Sequence, residues 1–296
     1  MRIRLKVMVV AALTVAMTAI SAWAATPVKL VDTKADESSP TSADGWLAWS
    51  VWNRSAGRDI AWLDPSGPED PRKVPTTASA YVGDIVLDGP RAGEAVFFQF
   101  EGKNGQIKFY DLATRDVLNA PSGINTSKSE EYPSASGDYL LFGRGPLGED
   151  FVRQVLLYRF STEKVTTVAS STQPFLIPDQ VNGDYLVYTR KYDVYRRQIS
   201  SGTTIRIPAA PDGRANYFGG VLPDGTAFFV QGSATTCGKN TKIMRLRNGN
   251  VSSIASVPDG YEIANLSAEE IGAETHIVFS RLSCKNLYGG IYEVVL

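Results

Sequence analysis

The stretch EEYPSASGDYLLFGRG, residues 130–145, shows the pattern on which the rest of the chain is built. A proline and several small polar residues lead into a Gly-Asp turn, which an apolar run follows. Related stretches occur as ESSPTSADGWLAWSVW at 37–52 and as PDQVNGDYLVYTRK at 178–191. Gly, Asp and Ser supply turn geometry, and a short apolar run bounded by such signals is typical of a buried strand. The recurrence predicts an all-β fold made of internal repeats.

The repeat can be followed through the chain by its apolar runs. Six runs follow turn signals at intervals of roughly 40–50 residues, the period of a four-stranded propeller blade. They are GWLAWS (45–50), EAVFFQF (94–100), DYLLFG (138–143), DYLVYT (184–189), TAFFVQ (226–231) and THIVFS (275–280). An alternating segment follows each run, and a third strand-like segment follows in five repeats. We interpret YPSASGD as the bend between the innermost and second strands, and NLSAEEIGAE (265–274) as an elaborated bend in the sixth repeat.

The sixth repeat lacks an outer strand, while the N-terminal segment TPVKLVDT (26–33) has no repeat of its own. A ring of blades closes in order to leave no sheet edge exposed, so residues 27–32 are expected to complete the last blade. The sequence thus predicts a six-bladed β-propeller of four-stranded antiparallel blades. The predicted layout is a signal peptide over 1–24, a closing strand and linker over 25–36, and the propeller over 37–296.

Several repeats resemble those of the TolB-like propeller family, which are similar to WD repeats. The matching segments are SPTSADGWLAW, YPSASGDYLLF, VLPDGTAFFV and IKFYDLATRDV, and the resemblance covers roughly residues 37–296. The Asp-Gly order is inverted to Gly-Asp in the third and fourth repeats. The resemblance implies a stand-alone propeller without the N-terminal domain of TolB. It implies little about activity, because one fold supports many functions.

The first 24 residues have the pattern of a bacterial secretory signal peptide. The basic segment MRIRLK precedes an apolar run over 7–20, and Ala22 and Ala24 occupy the small-residue positions of a cleavage site. We therefore expect cleavage after Ala24 and a secreted or periplasmic protein that is not inserted in the membrane, with an uncleaved N-terminal anchor as the alternative. The net charge of the whole chain is −1, and no basic tract follows the signal, so no nucleic-acid partner is expected.

Two cysteines fall one repeat apart in equivalent loops. Cys237 and Cys284 each follow the second strand of a repeat, and equivalent loops of neighbouring blades lie side by side on one face of the ring. Two cysteines in an exported chain favour a disulfide, although free thiols remain the alternative.

Motifs for catalysis are sparse. The sequence contains no G-x-S-x-G, and its single histidine, His276, lies inside a predicted strand. Histidine and cysteine ligands with zinc-site spacing are also missing. We expect no catalysis and no cofactor, and we expect a monomer.

A binding site is predicted where the innermost strands begin, because side chains there face the central channel and its mouth. Aromatic and acidic side chains that converge on one concave opening can hold a ligand or peptide. The candidate residues are Tyr81, Asp84, Glu131, Tyr132, Phe175, Tyr217 and Tyr261. A solvated channel with packing aromatics is the alternative interpretation.

The leading function hypothesis is therefore an exported, non-catalytic module that binds an unidentified protein or small ligand at the channel mouth. Two alternatives stay open. One is a metal-dependent hydrolase or lactonase that uses channel carboxylates. The other is a carbohydrate-binding propeller that uses the tryptophans of the first repeat, among which Trp52 is expected to face solvent and the others to pack between blades.

Overall fold

The computed structural model describes residues 25–31, 36–53, 57–63, 72–76, 78–148, 151–208, 213–233, 235–286 and 288–296, without the side chains of 53, 57–59 and 61–63. The predicted signal peptide lies outside these ranges. The described residues form an all-β propeller of antiparallel four-stranded sheets, which number six and are called blades one to six here. One 3-10 turn, Gly89–Arg91, joins two strands. None of the described helical segments is long and apolar enough to cross a membrane.

The first three blades follow the chain from the innermost strand outward. Blade one contains β2 (Asp36–Ala43), β3 (Trp46–Asn53), β4 (Gly57–Leu63) and β5 (Arg72–Lys73). Blade two contains β6 (Ala80–Val86), β7 (Glu94–Glu101), β8 (Asn104–Asp111) and β9 (Val117–Asn119). Blade three contains β10 (Ser129–Ser136), β11 (Tyr139–Gly145), β12 (Gln154–Arg159) and β13 (Lys164–Ser170).

Blades four and five repeat this order, and blade six differs from it. Blade four contains β14 (Leu176–Asn182), β15 (Tyr185–Arg190), β16 (Asp193–Gln198) and β17 (Thr204–Arg206). Blade five contains β18 (Ala215–Val221), β19 (Ala227–Gly232), β20 (Lys242–Arg247) and β21 (Asn250–Ser256). Blade six contains β22 (Tyr261–Ile271), β23 (Glu274–Ser283) and β24 (Gly289–Val295), with β1 (Val28–Val31) as its outermost strand.

The ring of blades is closed by pairing between strands from the two ends of the chain, and contacts between the innermost strands hold neighbouring blades together. Strand β1 runs antiparallel to β24, with Lys29 opposite Tyr292 and Val31 opposite Ile291. Each innermost strand contacts those of both neighbouring blades, and β22 contacts β2. The hydrophobic core lies between the blades; Phe98 and Phe109 of blade two, for example, pack in one cluster with Leu140 and Phe142 of blade three. Burial of a blade on both faces explains why its second strand is a continuous apolar run.

Two details of the predicted blades are wrong. Tyr132 to Ser136 belong to the innermost strand β10, and only Gly137 and Asp138 form the bend. Pro133 fits this strand because the innermost strand is an edge strand beside the channel, where a missing N–H leaves no ladder bond unmade. The NLSAEEIGAE segment is also mostly strand, since β22 and β23 form a long hairpin that pairs Glu269 with His276.

Every innermost strand carries a register shift at the same place, near its middle. The shifts lie between Ser38 and Thr41, Val82 and Asp84, Glu131 and Ser134, Pro178 and Gln180, Tyr217 and Gly219, and Ala264 and Leu266. Four residues in these bulges have positive φ angles between 46° and 59°: Ser39, Tyr132, Phe218 and Asn265. Non-glycine residues rarely adopt this conformation, and a bulge redirects the side chains around it. The six bulges together shape the channel.

Candidate functional site

The six bulges surround a small cavity at one end of the channel, called the upper chamber here. It opens on the face where the innermost strands begin, which we call the mouth face. Its volume is about 80 Å³. All six innermost strands line it, through Ser39, Pro40, Thr41, Tyr81, Val82, Gly83, Asp84, Tyr132, Pro133, Ile177, Pro178, Asp179, Gln180, Phe218, Asn265, Leu266 and Ser267, together with Phe98 of β7. The repeated bulge therefore builds a single concave site on the axis.

A ring of buried polar groups forms the floor of this chamber. Thr41 Oγ1 donates to Oδ1 of Asp84 at 2.8 Å, and Ser134 Oγ donates to Oδ2 of the same carboxylate at 2.8 Å. Ser134 Oγ in turn accepts from the backbone N–H of Val181 at 3.0 Å. These bonds link blades one to four, so the floor is part of what holds the blades in register.

The side-chain amide of Gln180 extends the ring of polar groups past blade five to blade six through hydrogen bonds. Its Oε1 accepts from the N–H of Val221 at 2.9 Å, and its Nε2 donates to the carbonyl of Ala268 at 3.0 Å. Blade five has Gly220 at this level, where a Cβ would lie 3.0 Å from both Gln180 Oε1 and Ala268. Glycine therefore leaves the space that Gln180 crosses. Ser267 Oγ lies 3.3 Å from Thr41 Oγ1, which completes the circle.

Two aspartates that line the upper chamber have raised pKa values. Burial raises the pKa of Asp84 to about 6, against the lowering effect of its bonds from Ser134 and Thr41. Burial also raises the pKa of Asp179 to about 8, although Thr189 Oγ1 donates to its Oδ2 at 2.8 Å. Near neutral pH, Asp179 can therefore offer a protonated carboxyl group, which both donates and accepts hydrogen bonds.

Aromatic rings form one wall of the chamber at the junction of blades two and three. Tyr81 stacks on Phe98 with ring centroids 5.0 Å apart, and Tyr132 meets the same Phe98 ring edge-on at 5.3 Å. Phe98 is buried, whereas Tyr132 is 38% exposed. Tyr132 is thus held by a packed ring while much of its surface faces solvent.

Of the seven candidate residues, the structure brings Tyr81, Asp84 and Tyr132 into the upper chamber. Glu131 does not line it; its side chain is buried and accepts from Ser129 Oγ at 2.6 Å. Phe175 lies outside the chamber on the mouth face, where its ring is 5.7 Å from that of Tyr192. Tyr261 also lies outside the chamber, with the Arg281 guanidinium 4.8 Å from its ring centroid.

Tyr217 is replaced in the chamber by its neighbour Phe218. Both Tyr217 and Phe218 pack against the core between blades five and six, and at the bulge between Tyr217 and Gly219 only Phe218 lines the chamber. Burial raises the pKa of Tyr217 to about 12. Residues that the sequence analysis missed are Thr41, Ser134, Gln180 and Ser267. Each occupies the same position of its repeat, just after the bulge, and this shared position becomes recognisable only when the bulges are known.

Exposed aromatic side chains are confined to the mouth face. Among the described side chains, the exposed aromatic residues are Trp52, Tyr132, Phe175, Tyr192, Tyr261 and Tyr288. Five of them lie at the start of an innermost strand, at the end of a second strand or at the start of a third strand, and these positions share one face. The sixth, Tyr132, lies at the bulge of β10 and lines the upper chamber, which opens on that face. Trp52 is exposed as expected, and Trp49 is buried. The side chain of Trp62 lies outside the described residues.

The predicted disulfide is confirmed, and it lies on the same face. Cys237 in the β19–β20 loop is bonded to Cys284 in the β23–β24 loop, with their Cα atoms 5.8 Å apart. The N–H of Cys284 donates to the carbonyl of Gly260 at 2.9 Å. Both loops are therefore tied to the start of β22, beside Tyr261.

The channel carboxylate that the hydrolase alternative would use, Asp84, takes part in the polar ring. Both oxygens of Asp84 already accept hydrogen bonds from Thr41 and Ser134. Within the described residues, the one group of three side chains whose possible ligand atoms cluster within 4.8 Å is Cys237, Glu262 and Cys284, two of which are joined as a disulfide.

No family model and no curated protein matches the chain. Solved structures do resemble it in fold. TolB from Acinetobacter baumannii is 17% identical with a TM-score of 0.54, over 86% of this chain and 65% of that one. A putative TolB from Agrobacterium tumefaciens is 11% identical with a TM-score of 0.56, over 89% and 91% of the two chains.

An acylaminoacyl peptidase is 13% identical with a TM-score of 0.50, over 88% of this chain and 51% of that one. The TolB resemblance is therefore supported by structure alone. Structural matches at identities this low show a shared fold. They do not show a shared activity.

Proposed function

We propose that the chain is an exported, non-catalytic binding module whose mouth face holds a protein or peptide partner. The observation that carries the proposal is the confinement of the exposed aromatic side chains to that face. Tyrosine and tryptophan are enriched among the residues that dominate binding energy at protein interfaces. A face rimmed by such residues around a small polar-floored cavity suits a partner that inserts one side chain into the upper chamber.

The polar groups of the upper chamber can fix the orientation of a bound partner, which aromatic contacts alone do not determine. Asp179 can donate to a backbone carbonyl when protonated or accept from an N–H when ionised, and Ser39 and Asn265 lie across the chamber from it. A few such groups in an otherwise apolar cleft fix the orientation of a ligand. The cavity of about 80 Å³ admits one small side chain, so most of the contact area would come from the rim.

The exported location rests on two observations of this chain. The N-terminal sequence has the pattern of a signal peptide, and Cys237 is bonded to Cys284. Disulfides persist in oxidising compartments and are rare in reducing ones. Secretion or a periplasmic location is thus part of the proposal.

Site-specific photocrosslinking in the producing cell tests the mouth face directly. A photoreactive amino acid would replace Tyr132 or Phe175 on the mouth face. The controls would carry it at Val165 or Ile205, which lie on outer strands and match the exposure of Tyr132. We expect one defined crosslinked partner from the first pair and none from the second. Equal crosslinking from both pairs, or none from the mouth face, would contradict the proposal. Turnover of esters or lactones that is lost on addition of a chelator would favour the hydrolase alternative instead.

A further inference from the structure

The channel continues beyond the polar ring into a second cavity on the face opposite the mouth, called the lower chamber here. Its volume is about 340 Å³. Asp84 and Gln180 of the ring border both chambers. The ring therefore separates two openings, and a ligand of the lower chamber would be recognised independently of the proposed function at the mouth.

The lower chamber is acidic. Asp84, Asp88, Glu269 and Glu270 line it, whereas none of its described lining residues is basic. One carboxylate oxygen of Asp88 has a hydrogen-bond partner, since Oδ1 accepts from the N–H of Gly137 at 2.6 Å. Carboxylates that converge on one opening without a cation among them create a field that attracts a positively charged ligand.

Glu269 is the buried group of this cluster. It lies two residues after Ser267 of the ring, at the next channel-facing position of β22, and only 6% of its surface is exposed. Its Oε2 accepts from the N–H of Asp44 at 3.0 Å, but its Oε1 has no hydrogen-bond partner. Burial raises the pKa of Glu269 to about 7, and the nearby hydroxyl of Ser42, which has no hydrogen-bond partner of its own, offsets only a part of this shift. A buried carboxylate oxygen without a partner is costly unless a ligand satisfies it.

The walls indicate which kind of cation would fit. The acidic groups of the lower chamber do not form a cluster of three with ligand atoms within 4.8 Å, so they do not converge as a divalent ion requires. Leu87 and Pro223 instead provide apolar surface beside the carboxylates, and half of the Leu87 side chain is exposed. An aliphatic stem that ends in a cation matches both features, because such stems pack on apolar surface while the charge reaches a polar partner.

We propose that the lower chamber binds an alkylammonium or alkylguanidinium group, with the cation on Glu269 and its stem along Leu87 and Pro223. A lysine or arginine side chain of a peptide and a free organic amine share this chemistry.

Calorimetric titration of the purified chain tests the proposal with n-butylammonium and n-butylguanidinium, and with n-butanol as a neutral ligand of similar shape. We expect saturable binding of at least one cation and none of n-butanol. Glu269→Gln should weaken binding about 10- to 100-fold, because a hydrogen bond to a charged group is lost. Glu274→Gln, an exposed carboxylate outside the chamber lining, should bind like the wild type.

A second variant keeps the test valid if Glu269→Gln fails to fold. Leu87→Lys changes an exposed side chain and places a competing ammonium in the chamber, so it should abolish binding without lowering the unfolding temperature. A capped peptide that contains arginine distinguishes the two sources: tighter binding than n-butylguanidinium supports a protein ligand, and equal binding supports a free amine. Equal affinity of wild type and Glu269→Gln, equal affinity for n-butanol, or Ca²⁺ binding without any binding of the organic cations would overturn the proposal.

Discussion

Thr41 and Asp84 join blades one and two through a buried hydrogen bond of 2.8 Å from Oγ1 to Oδ1. The same carboxylate accepts from Ser134 of blade three at 2.8 Å and from the N–H of Ile85 at 2.9 Å. One side chain thus connects three consecutive blades at the floor of the upper chamber. Buried networks of this kind are stabilising when every member is satisfied and costly when one is removed.

Removal of this carboxylate is therefore expected to destabilise the fold. Asp84→Ala should lower the free energy of unfolding by about 2–4 kcal/mol, because the hydroxyls of Thr41 and Ser134 lose a buried acceptor. Asp84→Asn should cost less, since one acceptor oxygen remains. Urea unfolding at pH 7 measures both variants. Asp116→Ala, at an exposed loop position, serves as the control, and an Asp84→Ala chain as stable as this control would contradict the structural role.

The acidity of Asp179 gives a pH prediction with a definite sign. Its pKa is raised from 3.8 to about 8 by burial, so the folded state holds the proton more tightly than the unfolded state does. The associated stability is fully present below about pH 4 and is lost as the pH rises through about 8. Asp179→Asn should therefore flatten the fall in stability between pH 6 and 8, where one such group contributes up to about 1.4 kcal/mol per pH unit.

Denaturant unfolding at several pH values measures this slope. Asp184→Asn is the matched control, because hydrogen bonds, chiefly from Ser200, lower the pKa of Asp184 and its proton is released well below pH 6. Glu269, whose pKa burial raises to about 7, supplies a part of the slope that should survive in both variants. A slope that Asp179→Asn leaves unchanged would show that this carboxyl group ionises normally.

The sequence predicted those features that depend on repeat spacing. Cys237 and Cys284 are one repeat apart in equivalent loops, so the period, together with the expected export, favoured the disulfide that is observed. The placement of β1 beside β24 follows equally from the missing outer strand. The bulges were not predictable in this way, because one extra residue among small polar residues leaves the apolar pattern unchanged.

That extra residue accounts for one of the errors in the predicted site. Side chains alternate across a strand, so a shift of one residue exchanges Tyr217 for Phe218 at the channel. The bend interpretation included Ser134, since serine favours turns, and the sequence assigned no role to Gln180. Their hydrogen bonds depend on contacts between blades, which no local pattern in the sequence reveals.

Loss of the disulfide should destabilise the chain without changing its fold. The bond closes a segment with a sequence separation of 47, for which the chain-entropy model gives about 4 kcal/mol. Replacement of Cys237 and Cys284 together by serine should lower the unfolding temperature, and the wild type under reducing conditions should behave like the variant. Identical melting with and without reductant would show that the bond contributes no stability.

Deletion of residues 28–31 should destabilise the whole ring. The deletion removes the partner strand of β24 and uncovers Ile291 and Tyr292, against which Val31 and Lys29 lie. An unpaired apolar edge pairs readily with other chains, so we expect a lower melting temperature together with aggregation. Light scattering during a thermal melt measures both.

Val28→Ala, at an exposed position of β1, should change stability by no more than about 0.5 kcal/mol. A deletion variant that melts like the wild type and stays monodisperse would rule out a stabilising role for β1.

The two tyrosines that the sequence suggested as anchors should behave differently, because only one of them reaches the mouth. Tyr132 is exposed and lines the upper chamber, so Tyr132→Ala should weaken binding of the crosslinked partner by about 1–3 kcal/mol and leave unfolding almost unchanged. Tyr217 packs against the core between blades five and six, so Tyr217→Ala should lower stability by about 3–5 kcal/mol through the cavity it leaves. Phe218→Ala, which alters the chamber itself, should resemble Tyr132→Ala in its effect on binding.

Affinity measured on the three folded variants, beside urea unfolding of each, separates these roles. Equal affinity of Tyr132→Ala and wild type would remove Tyr132 from the site, and weaker binding by a fully stable Tyr217→Ala would place the partner on the other side of β18.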